Sequence, residues 1–203
     1  MHFEANQYSS ASSWDASHVS HFTWSSTVEA AVGDYNEGEG YLFCDEIHKV
    51  SVDGGEAIYY ALSTEEWQYL FNTRDAAASK VGYATVGGVN GIIILPDNFT
   101  DPMKNNGNGA FVPKSSTGWD INVYKSGDNW NAMESAGAVF LPAAGGRDGS
   151  SVSDVGFNGL YWSSTAEDEY YAYYVHFNFN AVIPDSSKDS SNGYSVRLIT
   201  ESK

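Results

Sequence analysis

Cysteine is nearly absent from this chain of 203 residues, where Cys44 stands alone. That excludes an intrachain disulfide and a thiolate zinc cluster, so packing has to hold the fold. Cys44 itself, between Phe43 and Asp45 in an apolar stretch, reads as a small buried hydrophobe. Positive charge is scarce as well. Ten Lys and Arg stand against 26 Asp and Glu, a net charge of −16. Such a chain repels polyanions, which makes nucleic acid and anionic lipid surfaces poor partners. Long apolar runs are also missing. The longest, Gly91-Ile92-Ile93-Ile94-Leu95, falls far short of the roughly 20 residues a membrane helix needs, and no membrane insertion is expected. The first Lys or Arg is Lys49, so the start has no basic segment followed by an apolar one, and a signal or anchor for export is expected to lie outside this sequence.

What remains is a globular composition, with 42% apolar, 15% aromatic and 18% charged residues, long enough to bury one core. We read residues 1–203 as a single domain. Residues 1–40 lack a sustained period and carry no Lys or Arg, which suits short strands and long loops. The 41–62 stretch alternates loosely around Asp53-Gly54-Gly55 and reads as strand and hairpin. From Leu62 a helix is expected. Ser63 can cap it, Glu66 three residues on completes a capping box, and Trp67, Leu70 and Phe71 fall on one face.

Tyr83–Val86 and Ile92–Leu95 read as a hairpin joined by the glycine-rich 87–91 stretch. Without a following helix start or a Lys-Ser/Thr pair, those glycines are no phosphate loop. Residues 97–127 read as a long surface excursion. A second helix is expected over Trp130–Ser135, capped from Asp128 or Asn129 and ended by Gly137, followed by a buried strand at Val139–Pro142. Strands at Leu160–Ser163, Ala172–Phe179 and Tyr194–Ile199 complete an α+β arrangement of two helices with short, mostly antiparallel strands.

Arrangements that would carry catalysis or a metal are weak. His18 and His21 stand three apart near Asp15, but the serine-rich flanks favour a loop and no third ligand follows at a metal spacing. There is no Gly-x-Ser-x-Gly elbow. Glu65-Glu66 suits a helix start, and Glu167-Asp168-Glu169 suits a loop, although carboxylates distant in sequence can still meet in space. No catalytic residue, metal ligand or cofactor is expected, and the chain reads as a non-enzyme.

The most informative stretch is 157–180, where nine of 24 residues are aromatic. Strand parity sorts its second half. Tyr171, Tyr173, Val175, Phe177 and Phe179 form the apolar set, whereas Ala172, Tyr174, His176, Asn178 and Asn180 point the other way. Rigid aromatics mixed with Asn are what a contact surface uses, and no Lys or Arg occurs from Asp148 to Ser187.

Six segments, met in order, resemble the bacterial major paralogous domain family. They are Leu62–Arg74, Gly82–Val86, Gly91–Asp97, Gly137–Gly145, Tyr161–Thr165 and Gly193–Leu198. The resemblance covers residues 60–199, with residues 1–60 a divergent N-terminal part. It implies a C-type lectin-like fold of the formylglycine-generating subtype, on secreted or surface proteins. Some relatives are variable proteins of diversity-generating retroelements, in which adenine-directed mutagenesis rewrites ligand contacts near the C-terminus. The variable positions of that pattern fall on Tyr174, His176 and Asn178, the residues parity turns outward, and Tyr, His and Asn codons interconvert at their first base. The enzymes of this subtype need a cysteine pair, and calcium-dependent lectins need sugar-loop motifs and disulfides. This sequence has neither, so the resemblance implies binding alone.

The expectation is therefore a bacterial cell-surface or extracellular binding protein that meets a protein or glycan ligand through Phe157, Leu160, Tyr170, Tyr171, Tyr174, His176, Asn178, Asn180 and Asp185. Trp162, Phe177, Val196 and Leu198 are expected in the core, with Arg197 anchoring the last strand through a carboxylate. A fixed structural or adhesive module of a surface assembly is the alternative.

Overall fold

The computed structural model describes residues 59–104, 110–125, 128–168 and 170–200. The expectations for residues 1–58, including Cys44 and His2, His18, His21 and His48, lie outside the described residues.

Strand β1 (Tyr59–Ala61) leads into helix α1 (Thr64–Gln68), which starts as its sequence dictates. The Ser63 hydroxyl accepts the Glu66 N–H at 3.2 Å, and Glu66 Oε2 accepts the Ser63 N–H at 2.7 Å. Two donors that a helix start leaves open are thereby satisfied reciprocally. Trp67 and Phe71 stack with ring centroids 5.6 Å apart and are both buried. The end differs from a regular helix. The chain widens into a π-helical turn over Tyr69–Thr73, closed by the Arg74 N–H on the Tyr69 carbonyl. The Arg74 side chain then donates to the carbonyls of Leu70 (2.8 Å) and Leu95 (2.9 Å), tying this turn to the sheet.

That sheet has the order β4-β2-β3-β5, with β2 (Val81–Val86), β3 (Val89–Ile94), β4 (Asn122–Tyr124) and β5 (Val139–Pro142). The β2–β3 hairpin is tighter than the sequence suggests, because Val89 and Asn90 already pair. Only Gly87 and Gly88 turn, with φ of 59° and 86°. Two successive left-handed residues make the turn whose twist matches paired strands, and glycine adopts it without strain. Both faces of the sheet are dry. Val81, Tyr83, Ile92, Ile94 and Leu141 belong to one apolar cluster, and Ala84, Ile93, Leu95 and Phe140 to another. This explains a continuous isoleucine run in place of alternation.

Helix α2 (Asp128–Ser135) covers the second cluster with Met133 and Trp130. It ends as expected at Gly137. The Ala138 N–H reaches the Met133 carbonyl and the Gly137 N–H the Glu134 carbonyl, a paired C-terminal cap. The reading of 97–127 as surface excursion needs correction. Met103 and Tyr124 are buried, β4 pairs in parallel with β2, and the buried Asn122 amide bonds Val112 on both its N–H and its carbonyl, and Tyr83 on its carbonyl. A polar side chain takes the place of a strand pair there, so composition alone concealed the burial.

The C-terminal part forms a two-stranded ribbon of β6 (Gly146–Asp148) and β7 (Ser151–Ser153). A three-stranded antiparallel sheet follows, with β8 (Gly159–Ala166), β9 (Tyr171–Asn178) and β10 (Ala181–Asp189) in the order β10-β9-β8. Strand β10 carries Pro184 at a register shift between Ile183 and Ser186. Finally β11 (Leu198–Thr200) pairs antiparallel with β1. Tyr194–Val196, expected as strand, runs extended beside β8 through two backbone bonds of Ser195. Among the described residues the architecture is mixed α and β, with few helices and mostly antiparallel strands. The Thr64 hydroxyl meets that of Ser163 at 2.9 Å, fastening α1 to β8.

Trp162 and Phe177 are core residues as expected, but Val196 and Leu198 are only half-buried, because Val196 lies at the margin of the Trp162–Tyr194 cluster and Leu198 in the two-stranded pair with β1. Phe177 packs its ring over Gly159, where a methyl would overlap it. Gly159→Ala is expected to lower stability by about 1–3 kcal/mol through overpacking, read as a lower urea midpoint with an unchanged slope. Ser63→Ala should cost about 1 kcal/mol by opening the capping box, measured the same way.

Candidate functional site

Strand β9 turns Ala172, Tyr174, His176 and Asn178 to one side, as parity requires. Cross-strand register places Leu160 and Ile183 on either flank of His176, and Trp162 and Ser186 on either flank of Tyr174. Side chains paired in register share a face, so Leu160, Tyr174, His176 and Asn178 form one row with Ile183 and Ser186 beside them. The opposite face carries Val175 and Phe177, both fully buried beneath the sheet with Tyr161.

The parity reading fails at the strand's ends and centre in specific ways. Ala172, assigned outward, is fully buried against Trp162 and Tyr194. Tyr171 and Phe179, assigned to the core, are 43% and 50% exposed, because they stand at the first residue of β9 and in the turn just past its last, beyond the core. Tyr174 and His176 are half-buried rather than open. The Tyr194 ring lies 4.8 Å from that of Tyr174 and stacks on Trp162 at 4.5 Å, with Trp162 edge-on to Tyr174 at 5.9 Å. The row thus rests on a second, smaller aromatic cluster. Burial raises the Tyr174 phenol above its ordinary range, so it stays neutral and can donate at physiological pH.

His176 Nε2 and Asn158 Oδ1 lie 3.1 Å apart. With the amide oxygen accepting, the neutral ring donates from Nε2. Burial lowers the imidazole below its usual range, and the Asp154 carboxylate opposes that shift without overcoming it. Asn158 closes a turn from Asp154, the same turn that holds Phe157 out with 70% exposure.

The remaining expected contacts do not join the row. Tyr170 and Tyr171 sit at the β8–β9 connection, where Asp168 Oδ1 accepts both of their N–H groups. This makes Asp168 a turn former, in keeping with the loop reading of that acidic run. Asn178 Oδ1 accepts the N–H groups of Asn180 and Ala181 at 3.1 Å each, so it shapes the β9–β10 turn as well as ending the row. Asp185 accepts from Gln68 Nε2 at 3.2 Å and so sits against α1, away from Tyr174 and His176. Ile183, Ser186, Asn158 and Tyr194 escaped the sequence reading. Pro184 and the polar run around it hid β10, and only the fold brings Tyr194 onto Trp162.

Arg197 is buried and desolvated, with the Glu134 carboxylate favouring its charge. That agrees with an anchoring rather than a contact role. Among the described residues no three His, Cys, Asp or Glu side chains gather as a metal site. No helix among them is long and apolar enough to cross a membrane, which leaves β-barrels unaddressed.

Comparison with known proteins gives one match. A family described as a domain of unknown function (DUF8237) matches residues 119–199, a span that holds β4 to β10 and the whole row. No curated protein and no solved structure matches the chain.

The depressed His176 pKa has a consequence for stability. The unfolded imidazole, near 6.5, takes up a proton at higher pH than the folded one. Stability from this group is therefore complete above about pH 6.5 and is lost as pH falls through the folded value. Unfolding midpoints followed between pH 8 and pH 5 should decline more steeply for the unmodified protein than for His176→Gln. Equal slopes would separate His176 from the acid response.

Proposed function

We propose that this chain is a non-enzymatic ligand-binding protein of the C-type lectin-like fold, displayed at a bacterial surface or secreted, that meets a protein or glycan through the β8–β9–β10 face. The observation that carries the reading is the row itself. Tyr174, His176 and Asn178, the positions matching the variable pattern of retroelement-diversified relatives, lie consecutively on one face, flanked by Leu160 and Ile183. Aromatic and amide groups supply contact area and hydrogen bonds at small entropic cost. No lysine or arginine side chain stands in the row.

The pairing of β1 with β11 and the two short helices around β-hairpins support the fold part of the proposal. The acid excess disfavours nucleic acid as the partner. One observation favours the alternative, a fixed adhesive or structural module. Tyr174 is engaged with Trp162 and Tyr194, and a position under that packing constraint tolerates fewer residues than a fully open one.

Sequencing the 3′ third of the gene across its native population separates the two. Substitutions concentrated at adenines in the codons for Tyr174, His176 and Asn178, with Trp162 and Val196 fixed, are expected for a diversified receptor. Synonymous change spread evenly over the region would leave the fixed module standing.

A further inference from the structure

The turn between β7 and β8 stands at the end of the β9 row and is braced from several sides. The Phe157 and Asn158 N–H groups both close on the Asp154 carbonyl, at 3.0 and 2.9 Å. The Gly156 N–H donates to the Ala143 carbonyl, and the Asn90 side-chain amide donates to the Gly156 carbonyl. His176 ties the turn to the sheet through Asn158. On this fixed support Phe157 is 70% and Val155 56% exposed, and a rigidly held aromatic supplies contact area at small entropic cost.

Asp154 opens the turn in the left-handed region, with φ of 62°, which among the described residues only Ala76 shares outside glycine. Glycine reaches that region without strain and does so nearby at Gly149 and Gly156. The position thus retains a carboxylate against the residue its backbone favours. That carboxylate is exposed, and its one hydrogen bond among the described residues is with Ser153 Oγ at 3.4 Å. It lies close enough to the His176 ring to favour the charged imidazole, but burial of the ring outweighs it. The stretch from Asp148 to Ser187 holds six acidic residues and no Lys or Arg.

Charge complementarity therefore selects among guests for the face. An anionic partner is repelled, and a neutral glycan gains nothing from the uncompensated charge. An arginine or lysine side chain gains three times over. Its head makes a charge-assisted bond to Asp154, the Phe157 ring offers its negative face to the cation, and the stem lies along Leu160 beside His176.

We propose that the ligand of the β8–β9–β10 face is a protein that presents a basic segment, with an arginine or lysine side chain bonded to Asp154 beside the Phe157 ring. This rests on the reading of that face as the binding surface.

The test follows the backbone amide resonances of the full ¹⁵N-labelled chain at pH 7 and about 50 mM salt. The probes are the peptide acetyl-Gly-Arg-Gly-Arg-Gly-amide, its counterpart with uncharged citrulline for arginine, and the neutral glycan maltohexaose. The arginine peptide is expected to move the amides of Asp154, Phe157 and His176 saturably, with the citrulline peptide at least about fivefold weaker. Asp154→Asn keeps the backbone, because asparagine also adopts the left-handed region, and should weaken the arginine peptide by about fivefold. Asp75→Asn removes the same charge from an exposed turn beyond the π-helical segment and should change affinity by less than about twofold. Equal affinity for the two peptides, equal losses in the two variants, or no shift with any probe overturns the proposal. Shifts of the same amides by maltohexaose and not by the arginine peptide overturn the cationic partner while leaving the face as a binding surface. Peptide shifts confined to residues off the face remove both.

Discussion

The burial of β3 on both faces is the constraint from which the rest of the architecture follows. Ile92 and Ile94 point into one apolar cluster and Ile93 and Leu95 into the other, so neither layer forms without this strand between them. One cluster recruits Trp67 from α1, Phe71 from the π-helical turn after it, and Val175 and Phe177 from β9; the other recruits Met133 from α2 and Tyr124 from β4. Over its buried part, from Gly91 to Ile94, the strand carries no outward polar residue to mark its register. Register comes instead from the two-glycine turn at one end and from Gly91, where Phe140 and the Leu141 carbonyl press too close for a side chain.

Much of this was legible in the sequence, and the legible parts are local. The α1 capping box, the β2–β3 hairpin, the end of α2 at Gly137 and the strand at Val139–Pro142 all depend on residues within a few positions of one another. What escaped depends on distance along the chain. Asn122 looks like a loop residue until Val112 and Tyr83 are placed around it. No strand is expected over β10, where Pro184, Asp185 and two serines have low strand preference; its register comes from β9.

The candidate face shows the same division. Alternation along β9 places Tyr174, His176 and Asn178 on one side, since two-residue periodicity is a property of the backbone. Depth is not. Whether an outward residue is open, half-covered or sealed depends on the Tyr194 ring stacked on Trp162, and that partner is distant in sequence. Parity therefore named the side correctly and the exposure of Ala172, Tyr171 and Phe179 incorrectly. The aromatic support also divides roles within the row. Tyr174 is braced by its neighbours, His176 is held by Asn158, and Asn178 is committed to its own turn through two backbone bonds.

Strand β10, the outermost of its sheet, carries Pro184 at its register shift and Asp185, Lys188 and Asp189 along its length. Proline offers no N–H to an incoming strand, the shift bends the ladder, and charges at the rim repel a second copy. At high protein concentration these features act together against strand-to-strand association. Neighbouring molecules cannot zip edge to edge into cross-β ribbons along this strand, however apolar the residues one strand further in.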